Sequence, residues 1–432
     1  MEIPHSPHAA PDGSDLPCTN SGSPSSSVTS DNSVRPSKHG AQQRASDADD
    51  SDTDLTERPR LPYVVGFSAI ATKHEPPEPF GYDFYDTECQ NEREDWMSIP
   101  LLEFCLSRPD LGGKTIGHET KSLAITSIIR TSNDQGAQLV VINGDMVAKI
   151  YDPLYYEYIN DFGRKQHVKY EAYGDYSREA HAYVELQKSA AARNVTPAFY
   201  GTWTIDINVV VRQGGKVQKH TRHVPLILMQ HLPGRSMCQI NAESLPQDKR
   251  SEVLKKVLDA ESVIYHTGVV HCDFYPRNIM INGLHEADEA SCPTVKVFDF
   301  NCSAVRTHPL CEDQCRMRQT HERLTKQYRK PLNPMVRWDG LMIGLSGPGW
   351  CPASPPEQWL SDQYHDDERY IPAVWDPLNP YAPAKHVELE NGSETSVDPG
   401  LGLVMAIEKG EEDDGKSVVE VDEQSASAAQ SS

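Results

Sequence analysis

The sequence predicts a two-lobed α+β fold between two disordered arms. Strand patterns dominate the first half of the central region, and a long amphipathic helix opens its second half. Both ends of the chain are poor in the apolar residues that a core requires. The 432 residues suffice for one large domain or two ordinary ones, and the hydrophobic fraction of 38% agrees with partial disorder.

The two arms are predicted from composition. Residues 1–58 are rich in Ser, Pro, Asp and Asn, and residues 388–432 contain acidic runs and a Ser/Ala-rich end. Such segments bury too little apolar surface to offset chain entropy, so we expect both arms to be disordered. The central domain is then residues 59–387, with a β-rich N-lobe at about 59–232 and a short, reduced C-lobe at about 233–387.

The N-lobe is predicted to consist mainly of strands. Apolar runs and alternation predict strands at residues 61–71, 123–129, 138–142, 146–151, 198–207 and 223–232. Residues 74–120 look irregular apart from a short helix near 97–106. A helix is predicted over 177–188, because Ala180, Tyr183 and Val184 or Leu186 lie near one stripe.

The C-lobe is predicted to begin after a hinge at Pro233 and Gly234. A helix is predicted over residues 248–265 and is stopped by Gly268. Its apolar stripe consists of Leu254, Val257, Leu258, Glu261, Ile264 and Tyr265. Short strands are expected at 279–281 and 295–298, and the chain beyond residue 299 looks irregular, with Pro and Trp clusters.

Residues 269–303 hold the side chains with the most chemistry. Asp273 supplies a carboxylate, Asn278 an amide five residues later, and Asp299 a second carboxylate at the end of an apolar strand. Far upstream, Lys149 lies in the strand pattern M-V-A-K-I-Y, whose alternation places Val147 and Lys149 on one face. Carboxylate and amide oxygens are ligands that magnesium prefers.

The order of these residues resembles that of the protein-kinase-like superfamily, with its H-x-D-x-x-x-x-N loop and D-F-G turn. His271, Asp273 and Asn278 match the loop, and Asp299 with Phe300 matches the start of the turn. The chain looks like the divergent kinase-like proteins of filamentous fungi. It is similar also to atypical kinases and aminoglycoside-type phosphotransferases. The resemblance extends over about residues 120–305.

The resemblance implies a kinase-like fold with ATP and Mg²⁺ as cofactors. It implies that Asp273 is the catalytic base and that Asn278 and Asp299 hold the metal. Arg277 would stabilise charge near the γ-phosphate. His271 is expected to be a packing residue rather than an acid or base.

The resemblance also implies a phosphate anchor. Lys149 would contact the phosphates, and Val147 would line the adenine site. Glu179, on the next predicted helix, is the expected partner of Lys149, with Glu185 as the alternative. The partners would therefore be ATP and an acceptor, either a Ser/Thr of a protein or the hydroxyl of a small molecule.

Several positions depart from the kinase pattern. The segment 128–138, in the place of the glycine-rich loop, contains only Gly136, which puts the backbone cradle for phosphates in doubt. Cys272 replaces the arginine of H-R-D, and Asn301 replaces the glycine of D-F-G. No A-P-E motif follows. These departures favour an alternative, a pseudokinase that senses nucleotide or acts as a scaffold.

Composition excludes several other classes. A net charge of −22 argues against a nucleic-acid or anionic-membrane partner. Neither a membrane-length apolar run nor a signal-peptide core is visible. The ten scattered cysteines fit reduced thiols in the cytoplasm or nucleus better than a zinc site at Cys311 and Cys315 with Cys302 and His308. A metal-dependent hydrolase lacks a His-rich ligand set and is a third, weaker hypothesis.

Overall fold

The computed structural model describes residues 53–54, 57–82, 84–85, 98–159, 163–213, 215–284, 292–311, 316–338, 349–352, 356–374 and 385–386. All of them belong to one compact unit, Thr53–Ser432. Nearly all of the two expected arms lies outside the described residues, so their disorder stays a prediction. A two-residue strand at Thr53–Asp54 falls within the first of them.

The first half of the unit is an antiparallel sheet whose pairings close on themselves. Its strands are β1 (Thr53–Asp54), β2 (Ser68–Glu75), β3 (Lys114–Arg130), β4 (Gln138–Ile142), β5 (Met146–Ile150), β6 (Phe199–Gln213) and β7 (Lys216–Gln230). The order is β1-β6-β2-β3-β4-β5-β7, and β6 also pairs with β7. Strands β2 to β7 therefore form a closed antiparallel ring, and β1 adds a parallel pair to β6.

Turn chemistry sets the register of the strand that carries Lys149. Asn143 and Gly144, between β4 and β5, have φ of 54° and 87°. Positive φ at both central residues is what a type I′ hairpin turn requires, and Asn-Gly is a favoured pair for it. Ile142 pairs with Met146, so Asp145 is a third loop residue. This register places Lys149 opposite Leu139.

Four helices flank and follow the sheet strands. They are α1 (Leu101–Ser107), α2 (Val168–Leu186), α3 (Ala190–Val195) and α4 (Gln247–His266). Helix α2 packs against β6 and β7, and α4 packs against α3 and β11 (Thr294–Val297). On α4, Leu254, Val257 and Leu258 are fully buried, which accounts for the apolar stripe seen in the sequence.

The remaining strands form small sheets. β10 (Ile279–Asn282) lies between β11 and β8 (Arg235–Ser236), and β9 (Val269–Val270) pairs with β12 (Ala304–Val305). In the described residues that follow, the helices are α5 (Arg316–Tyr328), α6 (Pro334–Arg337) and α7 (Pro356–Tyr364). A last pair joins β13 (Ala373–Val374) to β14 (Lys385–His386).

The mixed α+β class is confirmed, and the strands at 138–142 and 146–151 and the helix at 248–265 agree with the structure to within two residues. None of the helices in the described part of the chain is long and apolar enough to cross a membrane.

The expectation of irregular chain beyond residue 299 was wrong for residues 316–328, 334–337 and 356–364, which form α5, α6 and α7. Helix α5 has few apolar residues, and its buried side chains include the polar residues His321 and Thr325 beside Leu324. These positions follow helical spacing, but their polarity conceals it.

Four other elements extend well beyond their predicted bounds. Strand β6 continues to Gln213 instead of ending at residue 207, and β7 begins at Lys216 instead of residue 223. Helix α2 begins at Val168 instead of near residue 177, and β3 begins at Lys114 within a segment expected to be irregular. The first turns of α2 contain three tyrosines and Gly174, which are weak helix formers. The first seven residues of β3 are all exposed, so they show no alternation of burial.

Candidate active site

Four elements bring the predicted site residues together. Lys149 lies on β5, Glu179 on α2, the 271–278 loop follows β9, and Asp299 follows β11. The backbone N–H of Phe298 donates to the carbonyl oxygen of Asn278 at 3.0 Å. This bond places Asn278 beside the end of β11, and Asp299 directly follows Phe298.

Lys149 is the centre of the cluster. Its side chain is 5% exposed, and Nζ donates to Oε2 of Glu179 and to Oδ1 of Asp299. The hydroxyl of Tyr151 donates to the same Oε2 of Glu179 at 2.7 Å. Glu185, the alternative partner, instead pairs with Lys188 at 2.5 Å. The structure thus joins Lys149 to Glu179 and not to Glu185.

One ammonium group is shared by two carboxylates. Burial alone would lower the pKa of Lys149, but Asp299 and Glu179 together raise it above its ordinary value. Burial would raise the pKa of Asp299, whereas the contact with Lys149 holds it below its usual range. Burial raises the pKa of Glu179, and its Oε1 is buried without a hydrogen-bond partner in the described part of the chain. Two carboxyl groups around one ammonium group give the cluster a formal excess of negative charge, which favours a cation.

The loop that carries Asp273 is fixed by its own side chains. Arg277 donates to Oδ1 of Asp273, and Nδ2 of Asn278 donates to Oδ2 and to the carbonyl oxygen of Asp273, at 2.8 Å and 2.9 Å. Because these bonds use the nitrogen end of the Asn278 amide, its oxygen is the atom suited to a metal ion. The side chain of Arg277 is 58% exposed, so it can be reached by an anion.

His271 is a buried side chain that holds the Asp273 loop in place. It is 2% exposed, and its ring centroid lies 4.7 Å from that of Phe300. Nδ1 accepts from the backbone N–H of Asp273 at 3.2 Å, so Nε2 is the donor to the carbonyl oxygen of Phe298 at 3.0 Å. Burial lowers the pKa of His271. These contacts agree with the packing role expected from the sequence.

Two residues of the site have left-handed backbone conformations. Cys272 has φ of 61° and Asp299 has φ of 68°, although neither is glycine. Such conformations cost on the order of 1–3 kcal/mol each and cluster where a side chain must be held in one orientation. The fold therefore maintains a strained backbone at Asp299 and at Cys272, which precedes Asp273.

A buried polar network explains the asparagine in the place of the D-F-G glycine. Asn301 Nδ2 donates to Oδ2 of Asp175 at 3.3 Å, and the carbonyl oxygen of Asn301 accepts from Nε of Arg178 at 2.6 Å. Arg178 also donates to Asp175 at 2.7 Å and to the carbonyl oxygen of Phe80 at 2.6 Å. Burial raises the pKa of Asp175. The network ties α2 to the turn that carries Asp299.

The sequence reasoning missed Asp175 and Arg178. Their i, i+3 spacing was the available signal, but the predicted helix began at residue 177 and so excluded Asp175. A Cβ on Gly174 would lie 2.8 Å from Nη1 of Arg178, so the glycine leaves room for the guanidinium beside the backbone of α2. Gly174 is therefore a second feature of the sequence that indicates the network.

The loop between β3 and β4 is held by a side chain rather than by glycines. Gln138 is 1% exposed; its Oε1 accepts from the N–H of Ser132 at 2.8 Å, and its Nε2 donates to the carbonyl oxygen of Ser132 at 2.9 Å. A third bond joins Nε2 to the carbonyl oxygen of Gly136 at 3.3 Å. The backbone amides of this loop therefore do not form a free glycine-rich cradle.

Val147 is buried on β5, 7% exposed, and pairs with Met229 of β7. Two surface cavities, of about 480 and 140 Å³, are lined by other residues. The larger lies around Lys255 and Asp362, and the smaller around His74 and Asp110. Neither includes a predicted site residue.

No protein-family model and no curated protein matches the sequence. Among solved structures, the chain is similar to the BubR1 kinase domain, with 10% identical residues and a TM-score of 0.27. The match covers 43% of this chain and 48% of that one, so this chain spans about half the length of that structure. A likeness at this level gives no ground for assigning a fold family or an activity.

Proposed function

We propose that this chain is an ATP- and Mg²⁺-dependent phosphotransferase with a two-lobed, kinase-like fold. The observation that carries the proposal is the buried Lys149, which contacts both Glu179 of α2 and Asp299 after β11. Burial of a lysine between two carboxylates from distant segments costs desolvation free energy, which favours a functional role for its charge. Phosphate binding is the use that also explains the nearby Asp273 loop.

The donor set fits magnesium. Asp299 and the amide oxygen of Asn278 are hard oxygen ligands, and the excess negative charge around Lys149 would be reduced by a divalent cation. When bound, the ion would neutralise phosphate oxygens. Lys149 would then hold the nucleotide phosphates, with Glu179 fixing the direction of its ammonium group, and Val147 would contact the base.

Asp273 would accept the proton of the attacking hydroxyl. Its carboxylate is already oriented by Arg277 and Asn278, so little reorganisation would accompany the transfer. Arg277, which is exposed, would stabilise charge near the γ-phosphate. The acceptor would be a Ser or Thr of a protein or the hydroxyl of a small molecule.

One observation favours a non-catalytic alternative, a pseudokinase that senses nucleotide or acts as a scaffold. Gln138 closes the loop that would cover the phosphates, and that loop contains a single glycine. Weaker phosphate contacts would permit binding but slow the transfer step.

Nucleotide binding is tested by thermal melts of the full chain with ATP, with and without Mg²⁺. Ligand at about a hundred times its dissociation constant should stabilise the fold by roughly 2.7 kcal/mol. Lys149→Met and Asp299→Ala should each abolish the shift. Lys169→Met is the matched control and should keep the shift, because Lys169 is equally buried but pairs with Asp110 at 3.1 Å and with the carbonyl oxygens of Arg108 and Pro109.

Transfer is tested separately with Asp273→Asn. The enzyme hypothesis predicts that this variant keeps the ATP-dependent shift but loses phosphate transfer to an acceptor or to the chain itself. A magnesium-dependent shift with no transfer by wild type would support the pseudokinase. No shift in wild-type protein, or an equal shift in Lys149→Met, would refute the enzyme and the nucleotide sensor and would leave only the scaffold.

A further inference from the structure

Three side chains that can ligate a metal ion meet outside the candidate active site. One ligand atom from each of Glu78, His181 and His308 lies within 4.8 Å of the others. They come from the chain before α1, from α2 and from the segment after β12. Nε2 of His308 lies 2.9 Å from Oε2 of Glu78, and the two imidazole rings lie edge to face with centroids 5.1 Å apart.

The hydrogen bonding of His181 leaves one of its ring nitrogens for a metal ion. Its Nε2 lies 3.1 Å from the carbonyl oxygen of Pro77, which can only accept, so Nε2 carries the proton and Nδ1 carries the lone pair. Metal-bound histidines usually donate their second N–H to such a carbonyl or carboxylate oxygen.

His308 needs one proton to move before it can ligate. The N–H of Leu310 donates to its Nδ1 at 3.2 Å, so the proton lies on Nε2, toward Glu78. A metal ion on Nε2 takes the place of that proton, which moves to Nδ1, and the bond from Leu310 is lost. The imidazole stays neutral, and no other group has to change its charge.

The ligand types select the class of metal. Two imidazoles and one carboxylate suit zinc, which takes nitrogen and oxygen ligands at about 2.0–2.2 Å and completes a tetrahedron with water. Ligand atoms of such a tetrahedron lie about 3.4 Å apart, whereas the atoms here are 2.9 Å apart in the His308–Glu78 pair and within 4.8 Å overall, so the ligands have to shift slightly. The side chain of Glu78 is 70% exposed and can supply this movement by rotation.

We propose that Glu78, His181 and His308 bind one zinc ion and thereby cross-link three segments around α2. Other bonds already join these segments: Phe80 to Arg178, and the backbone N–H of Val305 to the hydroxyl of Tyr85 at 2.7 Å. The ion therefore strengthens an existing junction. Because His181 and Glu179 lie on the same helix, zinc restrains the helix that positions Lys149. Of the residues considered for zinc from the sequence, His308 takes part, with different partners.

The test uses the full chain, freed of metal by a chelator. Calorimetric titration with zinc should give one ion per chain, and zinc should raise the melting temperature. Glu78→Gln changes an exposed side chain and should leave the fold intact. It and His181→Gln should each weaken zinc binding at least about tenfold, since even outer-shell partners of ligands contribute that much.

His223→Gln is the matched control, because His223 also contacts a carboxylate, Oδ1 of Asp206 at 2.7 Å, but belongs to no three-ligand group among the described residues. It should bind zinc as wild type does. Cobalt(II) identifies the donor atoms, because the proposed site lacks the intense near-ultraviolet absorption of a cobalt–thiolate bond. Absence of zinc binding, wild-type affinity in Glu78→Gln and His181→Gln, or a thiolate band would each overturn the proposal.

Discussion

Glu261 is a carboxylate on the otherwise apolar stripe of α4, and its replacement should destabilise the protein strongly. Its two oxygens accept from the guanidinium of Arg337 at 2.5 and 2.6 Å, and the two side chains are 5% and 14% exposed. Arg337 also lies 3.6 Å above the ring of Tyr265. Removal of one partner of a buried pair leaves the other charge buried, which costs about 3–5 kcal/mol.

The same helix provides a matched control. Glu252 pairs with Lys256 at 2.8 Å, but these side chains are 35% and 31% exposed, so the pair should contribute only about 0.2–1 kcal/mol. Urea unfolding of Glu261→Gln and Glu252→Gln measures both costs. With an m value of about 3 kcal/mol/M, Glu261→Gln should lower the midpoint by about 1–1.7 M and Glu252→Gln by less than about 0.4 M.

The pair also bears on the candidate site. Trp338 follows Arg337 and packs on Phe274, with ring centroids 5.4 Å apart, and Phe274 follows Asp273. We therefore expect Glu261→Gln to weaken whatever function the Asp273 loop performs. If Glu261→Gln lowers the urea midpoint no more than Glu252→Gln does, the assignment of a desolvated, stabilising pair is wrong.

Three further predictions concern the backbone and the site. Asn301→Gly should lower the free energy of unfolding, measured in urea, by about 1–2 kcal/mol. The hydrogen bond to Asp175 is lost, and glycine gains freedom in the unfolded chain. An unchanged free energy of unfolding would contradict this. Gly234→Ala should destabilise the protein more than Gly144→Ala. Both glycines have positive φ, but only at Gly234 would an added Cβ meet backbone, 2.3 Å from the carbonyl oxygen of Ile281. Equal losses in melting temperature would disprove this. His271→Gln should flatten the dependence of stability on pH. Burial lowers the folded pKa of His271, so its contribution is present above the unfolded value of about 6.5 and is lost as pH falls through the folded value. Parallel stability curves of wild type and variant between pH 5 and 8 would contradict this assignment.

The sequence was sufficient for elements whose pattern depends on neighbouring residues. The strand of Lys149 and the long helix before Gly268 follow periods of 2 and 3.6, and such periods can be read without any long-range contact. The order of Lys149, Glu179, Asp273 and Asp299 also predicted which groups would form one cluster. The structure brings Lys149, Glu179 and Asp299 together by direct contacts and places Asp273 in the adjoining loop.

The tertiary structure alone decided the contacts between distant segments. Asn301 looked like a simple departure from a motif, yet its side chain bonds to Asp175, a partner on a helix more than a hundred residues earlier. Glu78 and His308 gave no joint signal, because their spacing in the sequence has no period. Helix α5 was missed for a related reason: its buried face contains His321, whose hydroxyl partner on α4 exists only after the chain has folded. Local patterning thus determined the elements, whereas the pairing of polar groups across the fold determined how the candidate site is supported.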